Sequence, residues 1–236
     1  RAARGARRSD AAPARASRGR RGAGQRAMVR QVAAALGGHL LDSGALYRLL
    51  GLAAARAGVS VDDEPALAAL AAGLPVRFGG TADGGEQIWL GDDEVSADIR
   101  TETSGERASA VARFPAVREA LLGLQRDFRR PPGLVADGRD MGTQVFPEAG
   151  LKVFLTASPA ERARRRHKQL KDKGLDVSLA ALSRDIEARD RRDSERSVAP
   201  LRPADDARIL DSSNQSIDEV TDTVLVWARE CLPVKP

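Results

Sequence analysis

The chain changes character at Ala27: from there on, apolar side chains fall either at helical spacing or in short runs cut off by glycine, proline or acidic residues. "AMVRQVAAAL" carries the helical period and stops at Gly37 and Gly38. "HLLD" (39–42) predicts a short strand, after which Ser43 is a natural N-cap for the helix "GALYRLLGLAAARAG". A second helix reads through "DEPALAALAAG". The β-like pieces "PVRF" (75–78) and "QIWLG" (87–91), split by the turn-rich "GGTADGGE", predict a small antiparallel insert. Helices follow over 103–113 and 115–130, and "RPP" stops the second. "GLVADGRDMGT" (133–143) begins as a buried strand and ends in a polar, Gly-containing turn, and "LKVFLTA" (151–157) is a further strand. Ser158-Pro159 then opens a helix with Pro at its first position. Residues 160–197 read as two charged helices joined near "KGLDVS", "ARILDSS" (207–213) as a last strand, and 216–231 as a closing helix. Strands alternating with helices predict parallel β-α-β units and an α/β sheet. Residues 1–18 have no apolar period and are expected to form a disordered basic arm.

Composition narrows the class. With 236 residues and 42% hydrophobic content the chain can bury a full core in one domain, but aromatics are only 3%, so Ala, Leu and Val must fill it. So few rings argue against a surface that stacks bases. The single cysteine, Cys231, excludes an internal disulfide, and no metal spacing links His39 and His167. No apolar run is long enough to span a membrane, and the arginine-rich N-terminus lacks the apolar centre of a secretory signal, although it resembles a transit peptide superficially. A cytoplasmic monomer with no membrane or nucleic-acid partner is therefore expected. The net charge of +5 is uneven: residues 1–30 hold ten arginines and one acid, leaving 28 basic against 32 acidic side chains in the rest, a net of −4. The high pI belongs to the arm.

Three places could carry chemistry. "GRRGAGQRA" (19–27) has the glycine spacing of a phosphate-binding loop, G-x-x-x-x-G-K-[ST], in Gly19, Gly22 and Gly24, but Gln25 stands at the lysine position. The hydroxyl position falls on Arg26, or on Ala27 in a G-K-G-T variant. Two polar clusters fall at predicted strand ends, where ligands sit in open α/β sheets. One is Ser43-Gly44, opening a helix whose free N–H groups favour an anion, with Arg48 beyond it; the other is Asp137-Gly138-Arg139-Asp140. Ser43 could equally be only a cap, and the second cluster an ordinary turn with a surface ion pair. Finally, "SRDIEARDRRDSERS" sets Asp185, Arg189, Asp193 and Arg196 on one helix face, next to a helix with Arg162, Arg164, Arg165 and Arg166. That is either a solvated, salt-laced face or a mobile cap that lowers arginines onto a transferring phosphoryl group.

"HLLDSGALYR", "FPAVREALLGLQRDFRRPPGLVADGRDMGTQVFPEA", "KVFLTAS" and "ARDRRDSERSVAPL" closely resemble bacterial cytidylate kinases, from about Gly19 to Arg229. The resemblance implies a nucleoside monophosphate kinase of the P-loop NTPase type: a three-layer α/β/α fold with a parallel core sheet and a region for the monophosphate over about 43–130. Within that region lies the β insert (about 75–97), and a helical LID covers about 160–197. It implies ATP with Mg²⁺ and CMP or dCMP as the ligands. It further implies that Ser43 and Arg48 contact the CMP phosphate beside Tyr47, and that Ser109, Arg118 and Asp140 read cytosine. Arg139 and Arg189 would hold phosphate or sugar, Asp193 would approach the sugar, and Arg165 and Arg196 would reach the transferring phosphate.

The family loop, G-P-[ST]-x-[AS]-G-K-G-[TS], follows an apolar strand ending in Asp, whereas this chain has "APARASR" there, which does not read as a central strand. Strand, lysine and hydroxyl thus all depart together. Residues 1 to about 26 could be a misread upstream frame, or the chain could be a CMP-binding paralogue with little transfer, or a kinase that assembles its ATP and Mg²⁺ sites differently. A protein that binds RNA or another polyanion through the basic arm is the alternative of another class.

Overall fold

A computed structural model describes residues 14–19, 23–80, 86–172, 174, 176–195 and 201–231. Its centre is a five-stranded parallel sheet built from β1 (Ala14–Gly19), β2 (His39–Asp42), β6 (Leu134–Gly138), β7 (Leu151–Thr156) and β8 (Arg208–Asp211), in the order β2-β6-β1-β7-β8. The insert is a separate antiparallel sheet of β3 (Val76–Gly80), β4 (Glu86–Leu90) and β5 (Asp93–Glu94), as expected.

Eight helices connect these strands among the described residues: α1 (Ala23–Ala35), α2 (Ser43–Arg56), α3 (Glu64–Ala72), α4 (Glu102–Val111), α5 (Pro115–Asp127), α6 (Pro159–Lys171), α7 (Leu179–Ser194) and α8 (Ile217–Cys231). A 3₁₀ turn covers Asp98–Arg100 and a π-helical turn Met141–Val145.

The sheet separates two apolar clusters, and β6 shows how. Leu134 and Ala136 face a cluster with α2, α3 and α5, while Val135 between them faces one with α1 and α8. Side chains one apart on a strand point to opposite faces, so a strand buried on both sides must be apolar throughout. This gives the three-layer α/β/α architecture.

The expected disorder of residues 1–18 is corrected in part. Residues 1–13 lie outside the described part, but Ala14–Gly19 form the central strand, pairing Ala14 with Leu134 on one side and Arg15 with Leu151 on the other. The segment lacks an apolar run, yet the slot between β6 and β7 satisfies its backbone donors and acceptors on both sides, and context of this kind overrides strand propensity. The helix expected from Ala27 starts earlier, at Ala23, so Gly24 to Ala27 lie in its first turns and β1 leads into α1 in strand-turn-helix order.

The cap of α2 is corrected as well. Asp42, not Ser43, is the N-cap, and its carboxylate accepts from Ala45 N at 3.2 Å. Ser43 is the first helical residue. At α8 the reciprocal pattern is complete: Ser216 Oγ accepts from Glu219 N, and Glu219 accepts from Ser216 N.

Candidate active site

β2 and β6 are neighbours, and Asp42 pairs with Asp137 in their register, so the two strand-end clusters open into one crevice. Above it lies an open cleft of about 460 Å³, including its solvent-facing part. Ser43, Tyr47, Arg48, Ser109, Arg118, Arg139 and Asp140 all line it, which brings together the monophosphate-site residues expected between positions 43 and 140.

Backbone and packing hold each of these side chains. Arg48 Nη1 donates to the carbonyls of Ile99 at 2.7 Å and Thr101 at 3.0 Å, tying α2 to the 3₁₀ turn. Gly105 makes room for that guanidinium, because a Cβ there would lie 3.0 Å from Arg48 Nη2. Arg118 donates through Nη1 to Ala112 O at 3.1 Å and through Nη2 to Asp140 Oδ2, with the two side chains only 11% and 8% exposed. Its guanidinium also lies 5.8 Å from the centre of the Tyr47 ring. Gly138 allows the floor to close: an added Cβ would sit 2.8 Å from Met141 Cγ and 3.1 Å from Ser43 Cβ.

At the N-terminus of α2 the Asp42 carboxylate accepts from Ala45 N, which pairs one of the free N–H groups of that helix end, and Gly44 lines the cleft beside it. Ser43 Oγ donates its proton to Gln125 Oε1 at 2.9 Å, which leaves its lone pairs as acceptors. The cationic groups lining the cleft are Arg48, Arg118 and Arg139.

Sequence reading missed Gln125, whose signal was spacing: it follows Val117 and Leu121 at four-residue intervals on the buried face of α5.

The loop lies one strand over. Gln25 is 5% exposed in α1, and its Nε2 donates to Asp137 Oδ1 at 2.8 Å. Gln25 Oε1 accepts no hydrogen bond. Arg26 is half-buried and Ala27 exposed, whereas Gly22 lies outside the described residues. Burial, and after it the positive charge of Arg26, lower the Arg166 guanidinium from its usual range, and Arg166 pairs with Glu102 of α4.

The LID arginines are only partly brought in. Arg165 is absent from the cleft lining; its guanidinium donates to Glu161, to Ser212 Oγ and O, and to Gln215 O. The side chains of Arg189 and Asp193, and all of Arg196, lie outside the described part. What does join α6 to α7 is a buried pair, Arg162 Nη2 to Asp190 Oδ2, with Arg162 Nε also on Ala157 O. Among the described residues no cluster of three metal-ligating side chains occurs, and no helix is long and apolar enough to cross a membrane.

Comparison with known proteins agrees with this geometry. The family model for cytidylate kinase matches residues 16–230, so the match opens inside β1 rather than at the loop. A cytidylate kinase of Methylococcus capsulatus is 61% identical over 204 residues, covering 86% of this chain and 91% of its own. One from Pseudomonas aeruginosa is 57% identical over 223 residues, covering 94% and 96%, and one from Aeromonas hydrophila is 54% identical over 221 residues with the same coverage. A five-stranded parallel sheet with this cleft at its strand ends, and kinship over nearly the whole chain, leave one conclusion: the chain belongs to the cytidylate kinase family.

Proposed function

We propose that the chain transfers the γ-phosphoryl group of ATP to CMP or dCMP, giving CDP or dCDP, with the monophosphate bound in the cleft. The observation that carries this reading is the charge and hydrogen-bonding character of the lining: three guanidiniums against one carboxylate, with Tyr47 and Ser43 beside them. A phosphate monoester carries about −1.5 to −2 charges near neutral pH, which that surplus balances. Arg48 and Arg139 are the cations that meet it.

The base meets a different set. Asp140 and Ser43 are both acceptors, so an exocyclic amino group can give one N–H to each, while Arg118 donates to cytosine N3 or O2. Ser109 completes the lining on the α4 side. Uracil would set O4 against two acceptors, and mispairing buried polar groups is where large discrimination arises.

In the reaction a CMP phosphate oxygen attacks the γ-phosphorus of ATP, a P–O bond forms, the bond to the β,γ-bridging oxygen breaks, and ADP leaves. The protein's part is position and charge. Arg165, Arg189 and Arg196 of the LID are the groups that would approach the transferring phosphate, with Arg162–Asp190 keeping α6 and α7 together. Asp193 would approach the sugar. At the loop, Gln25 brings no charge, and among the described residues Arg26 and Arg166 are cations near it.

Mg²⁺ arriving with ATP offsets phosphate charge. Ala27 offers it no ligand, and the oxygens that would hold it are the Asp137 carboxylate and Gln25 Oε1, a set that suits a hard cation keeping most of its water.

The test is ADP formation in a coupled assay with CMP, dCMP and UMP as acceptors, alongside calorimetric titration of each. Turnover and binding with the cytosine nucleotides, and poor use of UMP, are expected; a chain that binds none of the three rules the reading out.

A further inference from the structure

Gln125 is 1% exposed and sits among apolar side chains on the inner face of α5. A buried amide is costly unless both its ends are paired. Here they are: Nε2 donates to Leu121 O at 3.2 Å, and Oε1 accepts from Ser43 Oγ at 2.9 Å. A backbone carbonyl can only accept, so the Leu121 contact fixes which way round the amide lies, and that in turn fixes the Ser43 proton. Gln125 does not line the cleft.

A serine alone discriminates poorly, since its hydroxyl rotates to donate or accept as the partner requires. We infer that Gln125 is a positioning residue for base selection: by holding the Ser43 proton away from the cleft, it makes Ser43 an obligate acceptor that favours an amino-bearing pyrimidine over its keto counterpart. This rests on the cleft being the CMP site. Without Gln125 the hydroxyl is free to turn its proton to uracil O4, and selectivity falls through better UMP binding as well as weaker CMP binding.

The experiment measures dissociation constants for CMP and UMP by calorimetry, with thermal melting as a check on the fold. Gln125→Met, close in volume, is expected to lower the CMP-to-UMP preference on the order of tenfold. In a Ser43→Ala background the same change should lower it no further, because the effect passes through Ser43. Gln125→Glu keeps an acceptor toward Ser43 and should keep the preference. An unchanged preference in folded Gln125→Met overturns the inference, as does an equal fall in the Ser43→Ala background. If Gln125→Met does not fold, loss of preference in folded Gln125→Glu overturns it instead. Unaltered chain that binds UMP as tightly as CMP removes the reading of the cleft itself, and this inference with it.

Discussion

Asp140→Asn isolates the base-reading chemistry because it changes hydrogen-bond polarity with almost no change in shape. In the present structure Asp140 Oδ2 takes the Arg118 Nη2 proton, and both side chains are nearly buried. A guanidinium only donates, so the asparagine oxygen must stay toward Arg118, and its NH₂ group turns to the cleft. There it opposes the cytosine amino group, donor against donor. One lost hydrogen bond and one mispaired buried group cost about 1–3 kcal/mol together, which weakens CMP by about fivefold to about 150-fold. Uracil O4, in contrast, gains a donor, so the CMP preference should shrink or invert. Asp140→Ala removes the acceptor without supplying a donor and should relax the preference without inverting it. Calorimetric dissociation constants for both nucleotides decide the matter. A folded Asp140→Asn chain with the original CMP-to-UMP ratio would show that this carboxylate does not read the base.

The loop offers a second test. Gln25→Lys with Ala27→Thr supplies the lysine and hydroxyl that the loop lacks, and kcat in the coupled assay should rise on the order of 10²-fold to 10³-fold; since β1 is in place to hold the loop, no missing strand stands in the way of that recovery. Gly105→Ala puts a methyl group 3.0 Å from the end of Arg48, a flexible side chain that can give way, so CMP binding should weaken by about tenfold while the melting temperature holds. Glu161 is held below its usual pKa of 4.5, first by the hydrogen bond from Arg164 and also by that from Arg165. A depressed carboxylate stabilises the fold above its unfolded pKa, and that contribution is lost as pH falls through the folded value. Glu161→Gln should therefore lower the melting temperature at neutral pH and lose that effect in strong acid.

Residues 39–42, 134–138 and 151–156 were legible as strands because each is an apolar run bounded by an acidic or turn residue. The cleft followed from them, since Ser43, Arg48, Arg139 and Asp140 stand at or just beyond the ends of two such runs. β1 was hidden because "ARASRG" carries no apolar signal, and what makes it a strand is the pair of neighbours waiting far along the chain. Asp42 and Ser43 are both good caps in adjacent positions, and only the backbone geometry decides between them. Gln125 was passed over because a polar residue in a charged helix ordinarily faces water, although its spacing from Leu121 pointed inward. The direction of Arg165 depends on the turn after β8, which approaches α6 only in the folded molecule.

β1 is early in the chain, yet its pairing partners are among the later strands: Ala14 must find Leu134, and Arg15 must find Leu151. During synthesis this segment emerges long before the strands that flank it, and the sheet cannot close until the ribosome has passed β7. Closing so long a loop is entropically slow. Until then the two apolar clusters lack the strands that supply Leu134, Val135, Ala136, Leu151 and Val153 to them, which leaves apolar surface on the nascent chain uncovered.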